Sequence, residues 1–484
     1  MSIEKFNLED RRILQIGFGS VGSAMPQMYE KHIIFKPKNI IIIDMNKDIL
    51  PSSALSSFEF INLKVTRENY KKVLKKYLRP GDFLVDLAWY IDTLSLIKWC
   101  YENDVLFLNT AVEEWEDKMS KNENDPRDFS LYTRQTHIRN VTKKWEKNSS
   151  TAILTCGANP GWVSLNFKVG IKDWLEYLSK KHPRDLIVKE CLDILYDYDV
   201  PEKEKWPAIC YLMEIQVIHI AEKDTQISNI PKQTNEFINT WSVEGLIEEG
   251  MAPAEMGWGT HETLKEGVYK YSEGPKNQVC LNTRGINTLV KSFVPSGDIT
   301  GMVIRHEEAY SISEYLTYKK NGKVKYRPTV HYAYQPCGDC LASIYEYQSR
   351  GYKKQEKERI LKNEVISGDD ELGCFMLSKK YGGWWVGSVL STEQSRKMIN
   401  DQSATTLQIV AGVIGGMLYA LKHPNRGLIH PESIDEKEIM PIIMKYLGDF
   451  VSFPVKNWNP SRPSKYGTSK YKSKKDWIIQ KLLV

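Results

Sequence analysis

Short apolar runs alternate with amphipathic stretches over the first 160 residues. Six runs rich in apolar residues are too short for ordinary helices, which predicts strands at Arg12 to Ile16, Asn39 to Asp44, Phe58 to Leu63, Phe83 to Leu87, Val105 to Asn109 and Ala152 to Cys156. Amphipathic stretches between them, such as Asn69 to Leu78 and Thr93 to Asn103, predict helices. This alternation is typical of an α/β fold with a doubly wound parallel sheet, which we assign to residues 1–160.

After Gly161 the pattern changes to longer strands, turns and many aromatic residues, which predicts a second, α+β domain over residues 161–395. In that domain, Lys319 to Lys325 has the pattern of a hairpin with an Asn-Gly turn. In the first domain, the charged segment from Lys118 to Ser150 predicts a solvated helical excursion before the last strand.

The longest apolar run, Ile409 to Leu421, falls short of the roughly 20 residues that a membrane-spanning helix needs. Its small residues recur at four-residue spacing, which favours a core helix that another backbone approaches closely: Ala411, Gly412, Gly415 and Gly416. We expect a helix near 400–421 to pack back on the first domain. We expect residues 422–484 to form a C-terminal extension whose Lys-rich tail, 459–475, is flexible.

Composition and charge narrow the class of protein. Hydrophobic residues make up 42% of the chain and charged residues 26%, which is ordinary globular composition. The net charge of +5 over 484 residues gives no argument for a nucleic-acid partner. The N-terminal sequence has no signal-peptide pattern, and the eight cysteines have no disulfide spacing. These features predict a cytoplasmic protein without a membrane partner.

The strongest local motif follows the first predicted strand. Gly17, Gly19, Ser20, Val21 and Gly22 belong to a GxGxxG turn, and the next strand ends in an acidic residue, Asp44. In a Rossmann domain, such glycines let a pyrophosphate approach a helix N-terminus, and the acid binds the adenosine ribose. Because a carboxylate repels a 2′-phosphate, the pattern favours NAD over NADP. The alternative is a glycine turn that binds no nucleotide.

Other polar residues follow the predicted strands of the first domain. Asp86, Asn109 and Thr110 lie where strands end, at the sheet edge where ligands bind, so we predict that they contact the ribose and nicotinamide side of the cofactor. Asn159 lies in a sharp Gly-Ala-Asn-Pro-Gly turn that can present it to nicotinamide or substrate. Strand-end capping and a purely structural turn remain the alternatives.

The predicted second domain combines carboxylates with aromatic residues. Its motifs contain Glu222, Trp241, Glu249, His306 and Glu308. Carboxylates accept charge-assisted hydrogen bonds from an ammonium group, and an indole face adds cation–π attraction, so the set suits an alkylammonium ligand. A solvated glutamate or a core tryptophan is the alternative for each residue taken singly.

Two further patterns do not predict metal binding. Cys337 and Cys340 form a CxxC without a second pair at zinc spacing, and His331 beside them gives a poor tetrahedral set. We also do not expect this CxxC to be a redox motif, because it does not open a helix at the start of a βαβ unit. His261 and Glu262 lack the second histidine of a metalloprotease motif.

Taken together, the motifs resemble the bacterial, NAD-dependent homospermidine synthases, which are grouped with saccharopine and carboxynorspermidine dehydrogenases. The resemblance runs from about Arg12 to about Phe450 and rests on GFGSVG at 17–22, NTAVEEW at 109–115, GANPG at 157–161, HIAEKDTQ at 219–226, NTWSVEG at 239–245, PAEMGWGTHE at 253–262 and VIRHEEAYSI at 303–312. It implies a Rossmann NAD domain and a second domain that completes the pocket and forms a homodimer.

The resemblance also implies a reaction and a set of site residues. Two putrescines would give sym-homospermidine and ammonia, and spermidine would replace one putrescine with release of 1,3-diaminopropane; NAD would accept a hydride and return it. By motif, Glu222 and Glu249 would hold ammonium groups and shuttle protons, and Trp241 would stabilise a cationic intermediate. The rest of the pocket would be lined by Glu113, Asn159, His306 and Glu308. Which carboxylate is the base stays open.

Two other classes of function remain. A carboxynorspermidine- or saccharopine-type reductive dehydrogenase would consume NAD(P)H and would need Arg or Lys for substrate carboxylates, whereas these motifs offer Glu and Trp. A non-enzymatic NAD-sensing protein would keep the fold but not the position of the pocket carboxylates.

Overall fold

The structure is a computed structural model that describes residues 5–46, 58–116, 125–263, 266–464, 467–470 and 477–484. The chain divides into two compact units. The first unit comprises residues 1–122, 134–162 and 395–446, and the second comprises 123–133, 163–394 and 447–484.

The strands of the described chain are numbered in chain order. The first eight strands, all in the first unit, are β1 (Phe6–Asn7), β2 (Ile13–Ile16), β3 (Ile33–Ile34), β4 (Ile40–Asp44), β5 (Glu59–Asn62), β6 (Phe83–Asp86), β7 (Leu106–Asn109) and β8 (Ala152–Ile153). Those that follow are β9 (Ile215–Asp224), β10 (Ile227–Ser228), β11 (Glu236–Asn239), β12 (Pro253–Gly257), β13 (Val268–Lys270), β14 (Gln278–Arg284), β15 (Leu289–Val294), β16 (Gly297–Met302), β17 (Tyr318–Lys320), β18 (Lys323–Tyr326), β19 (Thr329–Gln335), β20 (Lys357–Ile360), β21 (Val365–Ser367), β22 (Asp369–Ser378), β23 (Gly382–Ser391), β24 (Leu428–Ile429), β25 (Asp449–Val455), β26 (Ser461–Ser464) and β27 (Gly467–Lys470).

The α-helices are numbered in the same way. They are α1 (Ser20–His32), α2 (Tyr70–Tyr77), α3 (Thr93–Glu102), α4 (Leu131–Thr142), α5 (Val163–Lys181), α6 (Leu186–Tyr196), α7 (Glu202–Leu212), α8 (Val243–Met251), α9 (Glu307–Tyr315), α10 (Gly338–Ser349), α11 (Thr392–Met398), α12 (Ala404–Lys422), α13 (Glu436–Ile443) and α14 (Ile479–Leu482).

The first unit contains a seven-stranded parallel sheet in the order β24-β8-β7-β6-β2-β4-β5. Apart from β24, this is the 3-2-1-4-5-6 order of dinucleotide-binding domains, and the order reverses beside β2. All four residues of β2 are buried, as are those of β6 and β7, because helices cover both faces of such a sheet. The predicted doubly wound parallel sheet is therefore confirmed.

The apolar run near residues 409–421 lies in α12, which belongs to the first unit. A Cβ on Gly412 would lie 1.8 Å from the carbonyl oxygen of Gly157, and one on Gly416 would lie 2.6 Å from Sγ of Cys156. The small residues thus admit a neighbouring chain segment, as predicted. In length and composition α12 would suffice to cross a membrane, but 89% of its most apolar window is buried inside the protein, which is typical of a core helix.

The second unit contains a ten-stranded mixed sheet. At its centre β19 pairs in parallel with β9, which pairs antiparallel with the long strand β22. The predicted hairpin is present as β17 and β18, and its turn residues Asn321 and Gly322 have φ angles of 52° and 72°, as an Asn-Gly hairpin turn requires. This mixed sheet with its helices confirms the expected α+β class of the second domain.

The C-terminal region differs from the expected separate extension over residues 422–484. Residues up to 446 belong to the first unit, and β25 adds to the large sheet of the second unit beside β23. Strands β26 and β27 pair with each other in an antiparallel arrangement. Trp458, Trp477, Ile479 and Leu482 are buried in the core of the second unit. The predicted flexible tail, 459–475, lies partly outside the described residues, and these apolar residues flank it on both sides.

One other expectation needs correction. The CxxC does open a helix, because Cys337 caps the N-terminus of α10. Burial nevertheless raises the pKa of both the Cys337 and the Cys340 thiols, which is the opposite of a reactive thiolate. The expected helical excursion at 118–150 lies partly outside the described residues, and its described part contains the helix α4 before β8.

Candidate active site

The glycine turn after β2 is built by backbone contacts that exclude side chains. Gly17 has a φ of 98°, and a Cβ there would lie 2.7 Å from the carbonyl carbon of Leu87. A Cβ on Gly22 would lie 2.2 Å from the carbonyl oxygen of Gly17. At Gly19, by contrast, a Cβ would meet no described atom within 4 Å, so space is open beside the turn.

The same turn leads into a helix end that is free for an anion. Gly19 caps α1 without a side-chain hydrogen bond, and no acidic residue lies in the first turn, which begins with Ser20 and Val21. Asp44, at the end of β4, accepts a hydrogen bond from the backbone N–H of Phe18 at 2.7 Å. The glycine cradle, the open N-terminus and this acid fit the pyrophosphate and adenosine ribose of a dinucleotide.

A buried glutamine that the sequence analysis did not single out lies beneath the turn. Gln15 of β2 donates its side-chain amide to the carbonyl oxygens of Gly17 at 2.8 Å and Gly22 at 2.9 Å. Its own oxygen accepts from the hydroxyl of Tyr29 at 2.9 Å. This side chain therefore joins both ends of the glycine turn. The signal was present, because Gln15 is a polar residue in an otherwise apolar strand.

The predicted residues at the ends of β6 and β7 have different surroundings. Asp86 is buried, and this burial raises its pKa to about 7. Asn109 donates to the carbonyl oxygen of Ala111 at 2.5 Å and accepts from the backbone N–H of Thr155 at 2.9 Å, so its side chain fixes neighbouring loops. Thr110 lies beside it at the start of the following loop.

The two predicted pocket residues of the first unit lie in well-fixed backbone. Glu113 is buried, and its N–H donates to the hydroxyl of Thr93 at 2.9 Å. Asn159 is half-buried in the turn after β8. That turn is tight, because a Cβ on Gly161 would lie 1.8 Å from the carbonyl oxygen of Gly157.

In the second unit, three predicted residues form one hydrogen-bonded line. His306 is buried and places Nε2 3.2 Å from Oε2 of Glu249 and Nδ1 3.1 Å from Oε1 of Glu308. His306 is the N-cap residue of α9, Glu308 lies in the first turn of that helix, and Glu249 lies in the last turn of α8. Among the described residues, the second oxygen of Glu308, Oε2, is buried without a hydrogen-bond partner.

Charge determines the protonation of this line. Burial alone would lower the pKa of His306, but the charges of Glu308 and Glu249 outweigh it and raise that pKa to about 10. Burial raises the pKa of Glu249, although His306 opposes this rise. At neutral pH His306 is therefore an imidazolium held between two carboxyl groups.

Two tyrosines of β19, which the sequence analysis missed, connect the other predicted residues to this line. Tyr332 donates its hydroxyl to Oε2 of Glu222, and its ring lies 4.0 Å from the ring of His306. Tyr334 stacks on Tyr332 at 5.5 Å and accepts from Nε1 of Trp241 at 3.0 Å. The second unit thus brings the five predicted residues Glu222, Trp241, Glu249, His306 and Glu308 into one cluster, which we call the acid–aromatic cluster.

The cation next to this cluster in the sequence is already paired. Arg305 donates to Glu248 and to the backbone oxygen of Phe129. Arg305 is buried, and the carboxylate of Glu248 compensates its charge. The acid–aromatic cluster itself offers carboxylates and aromatic faces, which suit ammonium groups.

Fold and site together define a class of enzyme with a Rossmann domain and a second α+β domain. Residues 13–153 match the family model for the saccharopine dehydrogenase NADP binding domain. Residues 157–450 match the family model for the saccharopine dehydrogenase C-terminal domain. The glycine turn lies within the first of these matches, and the acid–aromatic cluster lies within the second.

Curated relatives and a solved structure narrow this class. The homospermidine synthases of Blastochloris viridis and Mesorhizobium japonicum are each 33% identical, over 93% of this chain and over 92% and 91% of their own lengths. A crystal structure of the homospermidine synthase of Legionella pneumophila in complex with NAD is 34% identical, with a TM-score of 0.86 and 99% of each chain covered. The chain belongs to the saccharopine dehydrogenase family and, within it, to the homospermidine synthases. The resemblance inferred from the motifs is thereby confirmed.

Proposed function

We propose that the chain transfers an aminobutyl group from putrescine or spermidine to putrescine, with NAD as its cofactor. The products are sym-homospermidine and ammonia, or 1,3-diaminopropane when spermidine is the donor. The observation that carries this proposal is the acid–aromatic cluster. Its three carboxyl groups outnumber the one imidazolium, so the cluster is complementary to a diamine with two positive charges.

The glycine turn supports NAD as the cofactor. Gly17, Gly19 and Gly22 leave room for a pyrophosphate at the start of α1, and Asp44 would accept hydrogen bonds from the adenosine ribose. Although the matching family model is named for NADP, a carboxylate at position 44 disfavours a 2′-phosphate. When bound, NAD supplies a reversible hydride acceptor, so that no net oxidation occurs.

A carboxyl group of the cluster would take the first proton. The donor amine must lose a proton before its carbon is oxidised, because the nitrogen lone pair forms the iminium. Glu249 suits this step, since burial raises its pKa and makes it a better proton acceptor. The imidazolium of His306 would keep the Glu249 and Glu308 carboxylates in place during this transfer.

The remaining residues would bind and stabilise the cations. Glu222 and Glu308 would hold ammonium groups, and the face of Trp241 would stabilise the iminium without reacting with it. A second putrescine then attacks the iminium carbon, ammonia leaves, and the new Schiff base is reduced. Glu113 and Asn159 remain proposed substrate-binding residues. Asp86, Asn109 and Thr110 remain proposed contacts of the cofactor.

A reductive dehydrogenase of the carboxynorspermidine or saccharopine type fits the cluster less well. Its substrates carry carboxylates and need unpaired Arg or Lys side chains. Arg305, the buried arginine that precedes His306 in the sequence, is held by Glu248. A non-enzymatic NAD-sensing role gives no reason for a buried imidazolium between two carboxyl groups.

The decisive experiment is incubation of the protein with putrescine and NAD, followed by mass analysis of the polyamines. Homospermidine and ammonia should accumulate over many turnovers while the amount of NADH stays near the enzyme concentration. Stoichiometric NADH without homospermidine would identify a simple dehydrogenase. Equal rates with NAD and NADP would contradict the proposed role of Asp44.

We also expect a homodimer in the cytoplasm, with polyamines as its small-molecule partners. All eight cysteines are free and buried, which suits a reducing compartment. Size-exclusion chromatography with light scattering would test the oligomeric state.

A further inference from the structure

Two tyrosines on one strand contact the side chains to which the proposed function gives the main roles. Tyr332 and Tyr334 are two residues apart in β19, so their side chains point to the same face of the sheet. Both are buried, and their rings stack at 5.5 Å with planes 9° apart. Each hydroxyl is hydrogen-bonded to a different residue of the acid–aromatic cluster.

We propose that Tyr332 and Tyr334 are positioning residues of the amine site. Tyr332 holds the Glu222 carboxylate in the orientation that binds an ammonium group. Tyr334 holds the Trp241 indole so that its face is presented to the cationic intermediate. This inference rests on the proposed function and extends it to residues that contact the binding groups rather than the reacting atoms.

The case for Tyr332 is geometric and electrostatic. A carboxylate has two oxygens, and the phenol of Tyr332 binds Oε2 of Glu222, which fixes the side-chain torsion. Hydrogen bonds from a hydroxyl to a carboxylate are short and about twice as strong as neutral ones. The ring of Tyr332 also lies 4.0 Å from the ring of His306. Tyr332 therefore contacts both Glu222 and the histidine that binds the other two carboxyl groups.

The case for Tyr334 depends on the direction of an indole face. A cation–π interaction requires the cation over the ring, within about 6 Å of its centre. Trp241 is half-buried at the N-terminal end of α8, next to its cap residue Ser242, where a side chain has freedom to turn. The hydrogen bond of 3.0 Å from Nε1 of Trp241 to the Tyr334 hydroxyl removes that freedom.

Both phenols remain protonated over the working pH range. Burial raises the pKa of each well above the ordinary value, and the charge of Glu222 raises both further. Tyr332 is therefore a permanent donor to Glu222 and does not compete with it for substrate protons. This fits a positioning role better than acid–base catalysis.

The test compares Tyr332→Phe and Tyr334→Phe with a matched control, Tyr326→Phe. Tyr326 is also buried in the second unit, but its hydroxyl donates to the backbone oxygen of Ile215 at 2.6 Å. Phenylalanine keeps each ring and removes one hydroxyl. Steady-state homospermidine formation, NAD affinity and thermal unfolding are measured for all three variants and for the unmodified NAD-loaded protein.

The two positioning variants should differ in which kinetic constant changes. Tyr332→Phe should raise KM for putrescine about tenfold or more, the range for losing a hydrogen bond to a charged group, with a smaller change in kcat. Tyr334→Phe should lower kcat about three- to tenfold, the range for a neutral hydrogen bond, with KM little changed. Tyr326→Phe should change neither constant, and NAD affinity should be the same throughout.

A double variant tests whether Tyr332 acts through Glu222. If Tyr332 acts through Glu222, Tyr332→Phe should change KM little further in a Glu222→Ala background. Additive effects would contradict this role. Variants at 332 and 334 that behave like Tyr326→Phe, in a protein that makes homospermidine, would overturn the inference alone. Failure of the unmodified protein to make homospermidine would overturn the proposed function and this inference together.

Discussion

Glu249→Gln is the substitution that tests the charged line of the active site most directly. Glutamine keeps the size of the side chain and an oxygen that can accept a hydrogen bond, but it removes the negative charge beside His306. In the unmodified protein the two carboxyl groups raise the pKa of His306 from 6.5 to about 10 against the opposing effect of burial. The variant should therefore show a His306 pKa well below 10.

The magnitude follows from the same values. A rise from 6.5 to about 10 corresponds to about 5 kcal/mol at 1.36 kcal/mol per pKa unit. The charge of Glu308 contributes more to this rise than that of Glu249, and we take about 2 kcal/mol, less than half of the total, for Glu249. If that interaction orders the site for amine deprotonation, Glu249→Gln should lower kcat/KM for putrescine about thirtyfold.

The assay has a matched control on the same helix. Glu244 of α8 is half-buried and pairs with Lys354 at 3.5 Å, and ion pairs that remain open to solvent contribute little. Glu244→Gln should leave kcat/KM unchanged, and both variants should bind NAD as the unmodified protein does. The His306 pKa is measured by NMR titration of isotope-labelled histidine. A Glu249→Gln protein with full turnover and an unchanged His306 pKa would refute this account of the site.

Four further outcomes test other parts of the molecule. Asp44→Asn should improve NADP binding relative to NAD by about tenfold, measured as the two dissociation constants. Trp241→Phe should lower turnover by up to about thirtyfold, and Trp241→Ala by more, since a cation–π contact is worth about 2 kcal/mol and the second change removes the aromatic face. Gln15→Leu should weaken NAD binding in equilibrium titrations without changing the KM for putrescine, because it releases both ends of the glycine turn. Finally, the raised pKa of His306 adds stability that is fully present below about pH 6.5 and is lost as pH rises towards 10, so the difference in unfolding free energy between the unmodified protein and His306→Asn should shrink over that range.

The fold of the first unit could be predicted because its signals are local. Each buried parallel strand is a short apolar run, and the glycine turn fixes where β2 ends and α1 begins. The Gly412 contact with Gly157 was also foreseeable in kind, since small residues in an apolar helix indicate a close neighbour. What the pattern did not reveal was the partner, which lies 255 residues earlier in the sequence.

The C-terminal region shows where composition misleads. Composition predicts a separate extension with a flexible tail at 459–475, yet Trp458 before that tail and Trp477, Ile479 and Leu482 after it are buried in the second unit. A few large apolar side chains contribute about 1.5 to 3 kcal/mol each on burial, which is enough to order a short segment. The average over a window hides such residues, so spacing of the apolar positions is the better guide there.

The acid–aromatic cluster was only half accessible from the sequence, and the reason is strand register. Glutamates, a histidine and a tryptophan can be recognised as chemically suitable wherever they stand in the chain. Tyr332 and Tyr334 gain their meaning only because β19 lies parallel to β9, with Tyr334 opposite Glu222 although the two are 112 positions apart. A shift of one residue in this pairing would turn both phenols to the other face of the sheet. Hydrogen bonds that depend on such long-range pairing leave no local pattern, so positioning residues of this kind have to be found in the structure.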